Sequence, residues 1–122
     1  AIAAQYPGKA VFIDCWATWC VPCMKGIEAM EPMKERMKGL DAVFVYLTNE
    51  TSQMDAWSEQ VIRIPGQHYR IKSDIWNKIP GLGAIPQYYL YDRQGKRVWE
   101  TTGFGKETLK EIETEINRVL EQ

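Results

Sequence analysis

The sequence predicts an α/β fold, a central mixed β-sheet with helices on both faces. Three observations carry the prediction. Two short apolar runs, 10–16 and 42–48, bracket a segment of helical periodicity. Two strand-like stretches near the C-terminus flank a turn, and the chain closes on an amphipathic helix.

The run Ala10-Val11-Phe12-Ile13-Asp14-Cys15-Trp16 suits a strand buried on both faces. From Pro22 to about Lys38 the apolar positions Ile27, Met30, Met33 and Met37 recur at helical spacing. Pro22 fits the first turn, where no backbone donor is lost. Pro32 lies inside and predicts a kink, and Gly39 a stop. Ala42 to Thr48 reads as a second buried strand. Ser52, with Asp55 three residues on, is placed to cap a helix with Met54, Trp57, Val61 and Ile62 on its apolar side. Pro65-Gly66 ends that helix. Ser73 caps a short helix carrying Ile75, Trp76 and Ile79, and 80–83 is loop. Gln87 to Tyr91, the turn Arg93-Gln94-Gly95 and Lys96 to Thr101 form a hairpin. Leu109, Ile112, Ile116, Val119 and Leu120 line one side of the last helix. The predicted order is βαβ, an inserted helical segment over 50–80, then ββα. The first unit implies parallel pairing with a right-handed crossover.

The chain has 122 residues, enough for one domain, 1–122. A strand only ten residues in suggests a domain cut from a longer precursor, with any targeting segment lying outside this chain. The net charge of −1 gives no electrostatic case for nucleic acid or an acidic membrane. No apolar run approaches the roughly 20 residues of a membrane span. A monomer is expected.

The three cysteines are Cys15, Cys20 and Cys23, an odd number that argues against a disulfide framework. Cys20-Val21-Pro22-Cys23 falls where a buried strand turns into a helix. Unpaired N–H groups and the positive dipole end of the first helical turn stabilise a thiolate on Cys20. Cys23, one turn later, should lie beneath it and be more buried. Cys20 would attack a disulfide to form a mixed disulfide, which Cys23 would resolve. A C-x-x-C pair also occurs in zinc sites, but here only Cys15, His68 and carboxylates could complete one. No metal or cofactor is expected, only a redox-active Cys20–Cys23 disulfide. A purely structural disulfide is the other alternative.

The stretch Phe12-Ile13-Asp14-Cys15-Trp16-Ala17-Thr18-Trp19-Cys20-Val21-Pro22-Cys23 resembles the thioredoxin superfamily. Its Ala-Thr-Trp-Cys-Val-Pro-Cys wording is closest to extracytoplasmic TlpA/ResA-like reductases. The resemblance runs from about Lys9 to Leu120 and is weakest between 50 and 80. It implies a thioredoxin fold and a thiol–disulfide oxidoreductase. Asp14 matches the buried aspartate that exchanges a proton with the resolving cysteine, a role that burial would support by raising its pKa. Ile85-Pro86 matches the family's cis-proline, whose preceding backbone pairs with substrate. Gly103 matches the glycine that lets a substrate backbone approach. Trp19, Val21, Pro22, Ile85, Pro86 and Gly103, with Phe104, would form an apolar docking rim.

Other residues read as structural. Trp16 is support beneath the loop, and Trp57, Trp76 and Trp99 are core or interface packing. Cys15 points to the opposite face from Asp14 and packs as a small hydrophobe. His68 is a satisfied structural histidine. Relatives often carry proline five residues after the second cysteine, where this chain has Glu28. Val21-Pro22 resembles reductive relatives and lacks the histidine common in oxidases and isomerases. The expectation is therefore a reductase of protein or small-molecule disulfides, fed by an upstream electron donor in an extracytoplasmic compartment, with the cytoplasm as alternative. The oxidase or isomerase direction and a redox-sensing partner-binding module are the competing readings.

Overall fold

The computed structural model describes residues 2–122. A 3-10 turn at Ile2–Gln5 precedes β1 (Ala10–Cys15), α1 (Val21–Arg36), β2 (Ala42–Asn49), α2 (Met54–Arg63), β3 (Gln67–Ile71), α3 (Ser73–Trp76), β4 (Gln87–Tyr91), β5 (Arg97–Thr102) and α4 (Thr108–Leu120). The strands form one five-stranded sheet in the order β3-β2-β1-β4-β5. β1 pairs parallel with β2, and β2 parallel with β3, while β4 and β5 are antiparallel to their neighbours.

β1 is buried along its whole length, as its unbroken apolar run requires. Alternation along it divides the core. Ala10 and Phe12 face Met30, Met33 and Met37 of α1 and Ile112, Ile116 and Val119 of α4. Val11, Ile13 and Cys15 face the other way, under Ala3, Trp76, Ile79 and Leu82. One face of the sheet is thus covered by full helices, the other by short turns and a loop. A third cluster, with Trp16, Cys20, Cys23, Ile27 and Tyr46, closes the end of the sheet where β1 runs into α1. The described helices include none long and apolar enough to cross a membrane.

The inserted segment is not purely helical, because β3 occupies Gln67–Ile71. Its residues Gln-His-Tyr-Arg-Ile carry no clean alternation because β3 is an edge strand, half-exposed on both sides. Gly66, at φ +146°, makes the entry possible. A Cβ there would lie 2.9 Å from the Phe44 carbonyl oxygen and 2.7 Å from the Tyr46 ring.

Ser52 does not cap α2. The N-cap is Gln53, with no side-chain bond, and Ser52 turns inward instead. Ser73 is the first residue of α3 rather than its cap, which is Lys72. α2 buries none of its residues, and Met54 and Ile62 of its apolar side are exposed. Only half-buried Trp57 from that side packs against the third cluster. α1 ends at Arg36 and runs through Pro32 as one helix.

Candidate active site

β1 delivers the chain into a short loop, Trp16–Trp19, and Cys20 becomes the N-cap of α1 in an extended conformation. Its Sγ accepts a hydrogen bond from the Cys23 backbone N–H at 3.3 Å. Cys20 and Cys23 are joined by a disulfide, with their Cα atoms 5.2 Å apart. Cys20 retains 5% exposure and Cys23 none. Cys20 thus sits at the helix mouth and Cys23 beneath it, with both residues buried and Cys20 the less completely so. The placement exposes Cys20 to first-turn N–H groups and the positive end of the helix, both of which favour a thiolate once the bond is reduced.

The wall facing Cys20 is the loop before β4. The Ile85–Pro86 peptide bond is cis. The Ile85 carbonyl oxygen lies 4.0 Å from Cys20 Sγ. Gly103, at φ +84°, donates its backbone N–H to the Pro86 carbonyl at 2.7 Å, which ties the end of β5 to this loop. Trp19 and Val21 are 61% and 63% exposed, and Pro22 is exposed beside them. Pro86 is buried and Ile85 half-buried. Phe104 is half-buried and turned inward, edge-on to the Tyr88 ring.

Residues beyond the predicted set hold the loop in place. Thr18 N–H donates to Ser52 Oγ at 2.9 Å, and Ser52 shares a 2.7 Å hydrogen bond with Thr48 Oγ1. Trp19 Nε1 donates to Thr51 Oγ1 at 2.9 Å, and Thr51 N–H donates to Asn49 Oδ1 at 2.9 Å. A cavity of about 150 Å³ opens between Trp19, Trp76 and Ile85. Sequence reasoning missed these supports, since Ser and Thr after a strand read equally well as helix caps or turn residues.

Asp14 is 1% exposed on the face of β1 that α1 covers. Neither carboxyl oxygen has a hydrogen-bond partner. Burial pushes its pKa up to about 8, with the Lys34 charge pulling the other way. Directly opposite it stand Tyr46 on β2 and Tyr88 on β4. The Tyr88 hydroxyl is buried without a partner, and burial holds its pKa far above the usual phenol range. It fits under α1 only because residue 26 is glycine: a Cβ there would lie 2.7 Å from it.

Cys15 is fully buried on the opposite face, and burial drives its thiol pKa well above the ordinary value. His68 bonds the Ile64 carbonyl through Nε2 at 2.7 Å and stacks on Tyr46, but its buried Nδ1 has no partner, so the expected satisfied histidine is satisfied at one nitrogen only; burial lowers its pKa. Trp16 is fully buried in the cluster around the disulfide, Trp76 is buried under the sheet, and Trp57 and Trp99 are half-buried. Glu28 is exposed on α1. Among the described residues no group of three His, Cys, Asp or Glu side chains could hold a metal ion.

The model of a protein family described as Redoxin matches residues 2–116. The chain belongs to the Redoxin family. This Redoxin domain is 26% identical over 117 residues to the thiol-disulfide oxidoreductase ResA of Bacillus anthracis, covering 92% of this chain. It is 30% identical over 116 residues to the thioredoxin-like protein YneN of Bacillus subtilis, covering 90%. The Redoxin chain spans 64% of that ResA and 65% of YneN. Among solved structures, a protein described as thiol:disulfide interchange protein DsbE from Chlorobium tepidum superposes with a TM-score of 0.77 at 25% identity, over 96% of this chain and 84% of that one. A thioredoxin-like structure from Neisseria meningitidis gives 0.79 at 13% identity, over 98% and 79%. The architecture is the thioredoxin fold.

Proposed function

We propose that this domain catalyses thiol–disulfide exchange, with Cys20 as the attacking and Cys23 as the resolving sulfur. The observation that carries the reading is the Cys20–Cys23 disulfide at the N-terminus of α1, its outer sulfur 4.0 Å from the Ile85 carbonyl. In the reduced protein the Cys20 thiolate attacks one sulfur of a substrate disulfide. A mixed disulfide forms and the first substrate thiolate leaves. Asp14, as carboxylate, takes the proton of the Cys23 thiol. The Cys23 thiolate then attacks Cys20, the mixed disulfide breaks, and the second substrate thiolate departs. Two electrons pass from the dithiol to the substrate, and the Cys20–Cys23 bond is restored.

Trp19, Val21, Pro22, Ile85 and Gly103 supply the surface on which an extended substrate segment lies, with the buried cis-Pro86 shaping the loop beneath it, and the backbone at Ile85 offers the segment a short strand-like pairing. The working direction is reductive, on protein or small-molecule disulfides outside the cytoplasm, with electrons returned by an upstream donor. The Val21-Pro22 dipeptide supports this direction, since no histidine adjoins Cys23 to stabilise the reduced state as strongly oxidising relatives do.

Insulin reduction tests the activity. Wild-type protein should turn over, and Cys20→Ser should lose at least about 100-fold, because the hydroxyl is not ionised near neutral pH and cannot replace a thiolate nucleophile. Full turnover by Cys20→Ser would remove the reading. A reduction potential near about −270 mV supports the reductive direction, and one near about −120 mV the oxidative one.

A further inference from the structure

A row of four titratable side chains crosses the sheet beneath α1. Tyr88, Asp14, Tyr46 and His68 occupy directly paired positions on β4, β1, β2 and β3. Paired residues point to the same face, so all four lie on the helix-covered side. Into this row α1 lowers one cation. The Lys34 side chain is only 8% exposed. Its ammonium donates to the Tyr46 hydroxyl at 2.6 Å and to the Pro65 carbonyl at 2.6 Å. It also lies 4.7 Å from the centre of the Tyr46 ring.

Burying an ammonium is costly unless something nearby benefits from its charge. Glu31, a turn earlier on α1, reaches it at 3.5 Å but is itself partly open to solvent. The uncompensated group is Asp14, whose carboxyl oxygens have no hydrogen-bond partner. The groups facing Asp14 can be named element by element. β2 contributes the neutral phenol of Tyr46, and β4 the neutral phenol of Tyr88. α1 contributes Lys34, backed by Glu31. β3 contributes His68, stacked on the far side of Tyr46, and α4 packs nearby through Ile112, Ile116 and Val119. Cys15 follows on β1 but points to the other face. Lys34 is the one cation directed at this row from α1.

We propose that the Lys34 ammonium, clamped between the Tyr46 hydroxyl and the Pro65 carbonyl, is the counter-charge of the Asp14 carboxylate when that group gives up its proton. Lys34 is a positioning residue, because it acts on Asp14 and touches neither sulfur nor substrate. The same helix that carries the dithiol at its N-terminus therefore carries, three turns on, the charge that readies the proton acceptor beneath it. Lys34 also lines a groove of about 370 Å³ along α1, β2 and Pro65. The consequence for exchange rests on the role proposed above for Asp14. The pairing itself does not.

The test is an NMR titration of oxidised protein labelled at the aspartate carboxyl carbons, which needs no turnover. Lys34→Met should raise the Asp14 midpoint by about one pH unit, as removal of a neighbouring opposite charge does. Lys34→Arg should leave it near the wild-type value. Should Lys34→Met fold poorly, the reciprocal measurement decides. Asp14→Asn should lower the Lys34 midpoint, followed at its side-chain carbon, by the amount that Lys34→Met raises Asp14, because coupling between two sites is mutual. An Asp14 midpoint unmoved by Lys34→Met in a folded protein, or a Lys34 midpoint unmoved by Asp14→Asn, overturns the proposal. If the midpoints move as stated while the pH profile of mixed-disulfide resolution does not follow, the pairing stands and the assignment of Asp14 to proton transfer falls.

Discussion

Asp14 keeps its proton in the fold up to about pH 8, whereas an unfolded chain releases it near 4. Between those values the folded protein binds the extra proton, so this residue makes stability fall as pH rises through the window. Asp14→Asn removes the penalty. It should raise the unfolding free energy at pH 8 by on the order of a few kcal/mol, and change it little at pH 4. Urea unfolding at the two pH values checks this. In exchange assays the wild-type resolving step should quicken up to about pH 8, where the carboxylate becomes populated, and Asp14→Asn should flatten that rise. A buried acid retained against stability in this way fits a group kept for chemistry.

At the scale of elements, α1 carries the dithiol, part of the core and the Lys34 cation. Its fit on the sheet depends on Gly26. An alanine in a helix ordinarily stabilises it by up to ~1 kcal/mol relative to glycine. Here the added Cβ would lie 2.7 Å from the Tyr88 hydroxyl and 3.1 Å from the Phe104 ring. Overpacking outweighs propensity, so Gly26→Ala should destabilise by about 1–3 kcal/mol. Adding Tyr88→Phe removes the closest atom and should recover part of the loss. Thermal unfolding of the two single variants and the double variant measures it as a cycle. β3 illustrates the opposite case, an element whose existence depends on its neighbours. Its five residues have little apolar pattern, and it is held by backbone pairing to β2 and by the tight passage at Gly66.

Over the whole molecule, the site is assembled from parts far apart in the chain. The β1–α1 loop, the turn after β2, the Ile85–Pro86 loop and Gly103 converge at the C-terminal ends of the parallel strands. The Trp19 indole, the most prominent apolar feature at the mouth, is held from the β2 side through Thr51. Thr51→Val keeps the shape and removes the acceptor. A single lost hydrogen bond of about 1 kcal/mol should lower kcat/KM for protein disulfides about fivefold, with little effect on the Cys20–Cys23 potential. A small disulfide, too small to reach the Trp19 surface, should lose much less than this, and the comparison of insulin with that small disulfide separates docking from chemistry.

The local record was sufficient for much of this. The apolar runs of β1 and β2, the helical spacing of Ile27, Met30, Met33 and Met37, and the turn before β5 identify their own elements, because burial on one or two faces imposes a period on the chain. The C-x-x-C pair at a strand-to-helix junction names its chemistry for the same reason: three residues of separation at a helix start bring the two sulfurs within bonding reach. Lys34 left a legible trace as well, a charge on the buried stripe between Met30 and Met37, but its partner could not be read. What tertiary structure alone decided were the matters of pairing: that 67–71 is a strand, that Ser52 braces the loop before Cys20 instead of capping α2, and that Tyr46, Tyr88 and Lys34 surround Asp14. Sequence periodicity reports which side of an element is buried, and it carries no information on which distant residue lies across the gap.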